Sequence, residues 1–353
     1  MTATCIRYSA RPFGGRKVER FLDEGTRVTK TVMRWAVAGI LLAALIWLIG
    51  RKIDWIEFAG YVRQSDWRLV GCAGFLAGTV CMGGLILRLH TLLMALPHGT
   101  PVGVWELASV QFASSAAHNF LPAPAGEVMR TVQLKRRHGY SVGGLVAAQL
   151  VEKVIEMLGL GIGMAAVATF GGLGRAIGAS MYVLSALAAG GAATAMVIGW
   201  RWKWSDAPYA ETAGLPLGAA TRAHAANFFR RLGEGMHQMR SPMVWLRSLG
   251  WSMLSDAANA ITVGLCLMAV GVSVPLAAWF LLMLAARGAG LVPSTPGQFG
   301  VQEAGVVGAL ALVGVDHNRA LAVALLHHVA HFVPVTLVGL VELRRQWVPR
   351  TAS

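Results

Sequence analysis

Long apolar blocks recur along this chain, and they constrain its fold more than any other feature. A helix rises 1.5 Å per residue, so about 20 apolar residues cross a hydrocarbon core of about 30 Å. Water is absent at that depth, and the backbone groups of each block must therefore be satisfied within a helix. Six blocks predict full spans: Val32–Gly50, Leu69–Leu89, Gly143–Phe170, Ile177–Trp200, Ser248–Val270 and Ala320–Leu343.

The composition agrees with a polytopic, all-α membrane protein. Of the 353 residues, 55% are hydrophobic and only 14% are charged, whereas soluble domains average about 25% charged residues. No soluble domain large enough to carry an enzyme is predicted. The net charge of +14 is therefore better explained by basic cytoplasmic loops and by attraction to anionic lipid headgroups than by a nucleic-acid partner.

Two further apolar stretches are interrupted by proline. Val102–Leu121 runs into a Pro-Ala-Pro sequence that begins at Pro122, and Pro275–Gly314 is broken between Pro293 and Gly300. Proline removes a backbone donor and clashes with the preceding turn, so a continuous helix cannot pass through either motif. Because the basic loops put both ends of each stretch on one side of the membrane, we predict two re-entrant hairpins.

The placement of basic residues also predicts the domain limits and the orientation. A basic segment, residues 1–31, precedes a single transmembrane domain, residues 32–345, and a short tail follows at residues 346–353. The positive-inside rule puts both termini in the cytoplasm, with the protein in the bacterial inner membrane. The loop from Arg51 to Arg68 fits this orientation poorly, since it carries four basic residues on the predicted outer side.

The order of the segments suggests an internal repeat. Each half reads as two spans, a broken hairpin and one further span, and the halves begin on opposite sides of the membrane. This order predicts an inverted-topology repeat, in which discontinuous helices meet near the midplane. Between the halves, residues 221–240 place apolar side chains on one helical stripe, which predicts a helix in the cytoplasmic interface. A connector packed on the protein's own loops is the alternative.

The first candidate site is the segment that contains Pro122, Gly126, Glu127 and Arg130. Glu127 and Arg130 are three positions apart, so they could pair across one helical face. A helix start favours an anion, and a guanidinium fork suits phosphate. The segment could therefore hold a lipid phosphate headgroup; a capping pair at the cytoplasmic rim is the alternative.

The second candidate site surrounds Arg287, which lies within an apolar half-helix. A charge there is costly unless it faces a polar cavity or has a partner, and Glu303 is the expected partner. A purely structural salt bridge that holds the hairpin together is the alternative. The candidate residues of this site are Arg287, Pro293, Pro296, Gly297, Gln302 and Glu303.

Two further groups of polar residues lie in apolar segments. Glu152 and Glu156 share one helical face, which should line the interior and meet Arg130 or Arg88, unless their helix simply reaches the cytoplasmic surface there. The histidines at 327, 328 and 331 include one pair with metal-ligand spacing. No third ligand is evident, so polar packing or a cavity lining is favoured over a metal site. We expect no catalytic residues, metal or cofactor.

These motifs resemble the lysylphosphatidylglycerol synthase transmembrane-region family, which is also called flippase-like. The resemblance rests on Leu-Pro-x-x-x-Gly-Glu-x-x-Arg at Leu121–Arg130, on the pair Glu152-Lys153, and on Pro-x-x-Pro-Gly-x-x-Gly-x-Gln-Glu-Ala at Pro293–Ala304. It covers the chain roughly from the first span to the last. It implies an integral membrane protein that moves a lipid or a lipid-linked molecule across the bilayer.

The resemblance leaves the cargo open. Pro124 and Ala125 stand where many relatives carry a polar or basic residue. Some relatives also carry a soluble aminoacyl-transferase domain, which we do not expect here because Ser353 follows shortly after the last span. The hypothesis is a flippase or transfer protein for a lipid with an anionic headgroup. The alternatives are a membrane-embedded lipid-modifying transferase, or a non-transporting subunit that accompanies lipid-synthesis enzymes.

Overall fold

Helices form all the regular structure in the part of the chain that the computed structural model describes. That part comprises residues 53–97, 99–121, 125–170, 175–201, 219–289 and 296–347. The basic N-terminal segment, the first predicted span at Val32–Gly50, and the prolines Pro122 and Pro293 lie outside the described residues. The described helices are α1 (Trp55–Gln64), α2 (Trp67–Met94), α3 (Val104–Phe120), α4 (Ala125–His138), α5 (Val142–Phe170), α6 (Arg175–Arg201), α7 (Ala219–Gln238), α8 (Pro242–Val270), α9 (Leu276–Ala289), α10 (Val301–Leu312) and α11 (His317–Trp347).

Four of these helices are long and apolar enough to cross a membrane, and they coincide with four of the predicted spans. They occupy Trp67–Met94, Gly178–Gly199, Pro242–Val270 and His317–Arg345. The predicted span at Gly143–Phe170 also forms one uninterrupted helix of 29 residues, α5. Three charged residues, Glu152, Lys153 and Glu156, lie in its interior. The prediction of an all-α, polytopic membrane protein is confirmed.

Both proline-broken stretches form pairs of short helices. Helix α3 ends at Phe120 and α4 begins at Ala125, while α9 ends at Ala289 and α10 begins at Val301. The two helices of each pair pack against each other. Helix α9 has 14 residues and α10 has 12. Helices of these lengths span about 21 and 18 Å, less than the hydrocarbon core of about 30 Å, as the arms of a re-entrant hairpin would.

Each hairpin packs on helices of both halves of the chain. The first hairpin packs through α3 on α11, the last helix of the second half. The second hairpin packs through α9 on α5, the last helix of the first half. The short turn Pro296–Gln298 also contacts α3, so the two hairpins meet. This is the convergence that the predicted repeat requires.

Helix α7 shows what the amphipathic stripe in residues 221–240 contacts. Leu232, Met236 and Met239 are buried in a cluster with Ala147 and Ile155 of α5. The stripe therefore packs on the protein itself, which is the alternative considered for this segment. The position of α7 relative to the membrane surface stays a prediction.

Candidate functional site

A polar cavity of about 400 Å³ lies where the two hairpins meet α2, α5 and α8. We call it the arginine cavity, because arginines from three different helices line it. Its charged lining consists of four cations and three carboxylates, a net charge of +1 with histidine neutral. These residues are Arg88, Arg130, Lys153 and Arg287, and Glu127, Glu152 and Glu156.

Glu152 connects two of the arginines. Its Oε2 lies 2.6 Å from Arg130 Nη2, and its Oε1 lies 3.4 Å from Arg88 Nη2. Glu152 is 4% exposed, Arg88 3% and Arg130 8%. Each of the two carboxylate oxygens thus meets one guanidinium away from solvent. The sequence predicts that the acidic face of this helix contacts Arg130 or Arg88, and Glu152 contacts both arginines.

Glu156 extends the cluster towards the surface. Its Oε1 lies 2.7 Å from Arg88 Nη2, and its Oε2 accepts from Lys153 Nζ at 2.9 Å. Arg88 Nη1 also donates to Ser252 Oγ at 3.3 Å, while Arg88 Nε is buried without a hydrogen-bond partner. The side chain of Lys153 is 59% exposed, so the cluster runs from a buried centre to an open rim.

The expected pairing of Arg130 with Glu127 is wrong. Arg130 reaches across to α5 and also donates to Gln111 Oε1 of α3 at 3.1 Å. Pairs three positions apart on one helix contribute only about 0.2–0.5 kcal/mol, whereas a buried guanidinium left without a carboxylate costs about 3–5 kcal/mol. Glu127 Oε2 is left buried without a hydrogen-bond partner, beside the arginine cavity that Glu127 lines.

The expected pairing of Arg287 with Glu303 is also wrong. Arg287 Nη1 lies 2.6 Å from Asp256 Oδ1, on α8, against which α9 packs. Glu303 instead caps its own helix, where the Gly300 N–H donates to Glu303 Oε2 at 2.7 Å. Its other oxygen, Oε1, lies 2.6 Å from His328 Nδ1. Glu303 therefore meets its own helix start and a histidine rather than the arginine.

The remaining predicted residues shape the hairpins. A Cβ atom at Gly126 would lie 2.7 Å from the Ser114 carbonyl oxygen, so glycine permits the close approach of α4 to α3. Gly297 adopts φ 68°, a left-handed conformation that favours glycine, in the turn that begins at Pro296. Gln302 Nε2 lies 3.5 Å from His327 Nδ1. Gly126 also lines the arginine cavity.

A polar stripe on α8 supplies partners that the sequence interpretation did not assign. Asp256 and Asn259 are both buried on this helix. Asn259 Oδ1 lies 3.2 Å from His327 Nε2 and 3.0 Å from His331 Nε2, and an amide oxygen can only accept, so both rings donate. No metal-binding group of three ligands exists among the described residues. The spacing of Ser248, Ser252, Asp256 and Asn259 along one helical face was the available signal.

Comparison with known proteins agrees with this architecture. A similar protein is the UPF0104 membrane protein of Methanothermobacter thermautotrophicus, which is 26% identical over 324 residues, covering 85% of this chain and 88% of the relative. Residues 35–339 match the family described as lysylphosphatidylglycerol synthase TM region. That match includes both hairpins and every residue of the arginine cavity. This multi-pass membrane protein therefore belongs to the lysylphosphatidylglycerol synthase TM region family.

Proposed function

We propose that the protein flips or transfers a lipid or lipid-linked molecule with an anionic headgroup across the bacterial inner membrane. The arginine cavity is the observation that carries this proposal. Arg88, Arg130 and Arg287 come from α2, α4 and α9 and line one space. Charged side chains are expensive within a membrane, and they commonly mark the pathway of a substrate or an ion. The family, named for a lipid synthase, agrees with a lipid as the cargo.

The pairing pattern suggests how a headgroup would enter. Guanidinium groups bind phosphate through two parallel hydrogen bonds, as they bind carboxylate. Glu152 holds Arg130, and Asp256 holds Arg287, each at 2.6 Å. A phosphate in the arginine cavity would compete with these two carboxylates for the two arginines. The exchange of one anion for another keeps the buried arginines paired throughout. The protein would act as a carrier rather than as an enzyme.

The proposal also includes the orientation of the protein in the membrane. Both termini would lie in the cytoplasm, and the two hairpins would enter the membrane from opposite faces. An anionic headgroup could then reach the arginine cavity from either leaflet as one hairpin moves relative to the other. Membrane enzymes that synthesise the lipid would be the natural partners on the loading side.

A flipping assay in liposomes tests the proposal. The purified full-length protein is reconstituted with a fluorescent phosphatidylglycerol, and dithionite quenching reports the fraction that changes leaflet with time. We expect the Arg287→Gln variant to slow flipping by at least about tenfold, because the loss of one charge-assisted hydrogen bond costs about 1.5–3 kcal/mol. The control is Arg230→Gln, the same chemical change at an exposed position of α7, which should keep the wild-type rate.

The same assay gives the results that would contradict the proposed function. A wild-type rate equal to that of protein-free liposomes would overturn the proposal for this lipid class. Equal rates in wild type and Arg287→Gln, both above that background, would mean that any flipping occurs without the arginine cavity. A product that forms from lipid and an activated donor in the same vesicles would point instead to a transferase.

A further inference from the structure

A second cavity, of about 490 Å³, lies between α5, α6 and α7. We call it the apolar cavity, because Lys153 is the only charged residue among the described residues that line it. Leu150, Val154 and Met157 form the α5 wall, on one face of that helix. Small-molecule sites commonly occupy about 300–1,000 Å³, so the apolar cavity and the arginine cavity are each large enough to hold part of a ligand.

The sequence of α6 explains why this space is open. Ala192 and Ala195 face the cavity, with Gly191 and Gly199 at neighbouring turns. Their side chains are too short to fill the space between α6 and α5. Met236 of α7 closes one end, where its Cε would clash with any Cβ at Gly199. The cavity is therefore open because small residues occupy one face of the membrane-spanning helix α6.

Lys153 joins the two cavities. It lines both the apolar cavity and the arginine cavity, and no other described residue is shared between their linings. Its ammonium group lies 2.9 Å from Glu156 Oε2, on the side of the arginine cavity. A lysine can lay its four-carbon stem along apolar surface while its charge stays in a polar setting. The position of Lys153 is thus a boundary between a charged compartment and an apolar one.

The arginine cavity also shows capacity for a ligand that the protein does not satisfy by itself. Arg88 is 3% exposed, yet its Nε has no hydrogen-bond partner. Buried polar groups without partners are rare in folded proteins. An acceptor supplied by a ligand, such as a phosphate oxygen, would complete the guanidinium of Arg88. Such an acceptor would lie in the same cavity that Lys153 connects to the apolar one.

We infer that the apolar cavity binds one acyl chain of the lipid whose anionic headgroup occupies the arginine cavity. This inference rests on the proposed function and adds the site at which the hydrocarbon is held. Lys153 lies at the junction of the two cavities and contacts the phosphate as the headgroup passes. The ligand is accordingly a phospholipid with a long acyl chain rather than a free phosphate or a headgroup alone.

Native mass spectrometry of the full-length protein with added dioleoyl phosphatidylglycerol tests this inference. The Ala195→Trp variant fills the apolar cavity and should lower the retained lipid by about tenfold, because the displacement of even two methylene groups has that effect on binding. Ala193→Trp is the matched control, since Ala193 is exposed on α6 and lies outside the lining. Leu150→Trp narrows the same cavity from α5, so the test does not depend on correct folding of the Ala195→Trp variant alone.

Each outcome bears on the inference. Loss of lipid in Ala195→Trp and Leu150→Trp, with retention in Ala193→Trp and in wild type, supports it. Retention in all four proteins overturns the acyl-chain site. If flipping in that case still depends on Arg287, the proposed function stands without the acyl-chain site. Equal loss in Ala193→Trp would mean that the lipid is merely annular, which also overturns the site. Retention of dihexanoyl phosphatidylglycerol as tight as that of the dioleoyl lipid would overturn the role of the chain.

Discussion

A single carboxylate holds the centre of the arginine cavity. Glu152 accepts from Arg130 and pairs with Arg88, and all three residues are almost completely buried. Removing one partner from a buried ion pair leaves an uncompensated charge, which usually costs about 3–5 kcal/mol. In contrast, pairs on an exposed helix surface contribute about 0–1 kcal/mol. The energetic difference between buried and exposed pairs can be measured in this chain.

The Glu152→Gln variant should lower the free energy of unfolding by about 3–5 kcal/mol, because the buried Arg130 loses its carboxylate partner, whereas Arg88 keeps Glu156. Unfolding by SDS in mixed micelles, followed by circular dichroism, measures this change. The control is Glu234→Gln, which alters a partly exposed pair on α7 and should cost less than about 1 kcal/mol. A loss in Glu152→Gln no larger than in the control would mean that solvent already reaches Arg130.

The residue scale also shows what sequence reasoning can and cannot predict here. Isolated charges in apolar helices identified Arg287 and Glu152 as inward-facing, because charge in a membrane needs a cavity or a partner. Which partner each charge takes depends on how helices rotate and pack, and spacing along one chain does not specify that. Arg287 therefore pairs with Asp256 on α8 rather than with Glu303 across its own hairpin. Glu303 was misassigned because helix capping competed for it.

At the scale of elements, the first hairpin depends on a single close approach. The Gly126 position in α4 faces the backbone of α3, where Ser114 Oγ also donates to the Gly126 carbonyl oxygen at 2.8 Å. Any side chain at this position would push the two helices apart. Since Glu127 and Arg130 follow on the same helix, a shift of α4 would move them within the arginine cavity.

The Gly126→Ala variant should destabilise the protein by about 1–3 kcal/mol, the usual cost of inserting a methyl group into a tightly packed contact. It should also lower the flipping rate. Gly308→Ala is a control in the other hairpin, because a Cβ there meets no atom within 4 Å, and alanine in a helix should be neutral or stabilising by up to about 1 kcal/mol. Thermal unfolding in detergent compares the two. Equal stability of both variants would contradict the tight contact.

At the scale of the molecule, the alternation of apolar blocks and basic loops predicted the order of the long described helices, although the short helix α1 lies in a segment that was predicted to be a loop. A hydropathy pattern shows how long an apolar helix is, and this length decides whether the helix can span the membrane. The contact of each hairpin with the last helix of the opposite half could not be predicted, because no local pattern encodes it. Nor did the amphipathic stripe of α7 distinguish lipid from protein as its apolar neighbour. In the structure that neighbour is α5.

The predicted orientation of the hairpins can be tested by cysteine labelling. In a background without the four native cysteines, single cysteines at Thr100 and Arg137 flank the first hairpin, and cysteines at Ser273 and His317 flank the second. All four positions are exposed. A membrane-impermeant maleimide should label the first pair from the cytoplasmic side and the second pair from the opposite side. Labelling of the two members of either pair from different sides would exclude re-entry for that hairpin.

The contact of each hairpin with the opposite half has a consequence for how the chain can be divided. Because α3 docks on α11 and α9 docks on α5, each half carries part of the surface on which the hairpin of the other half rests. A fragment cut between the halves would therefore expose a helix face that the intact chain covers. A tilt of either half would likewise shift a hairpin of the other.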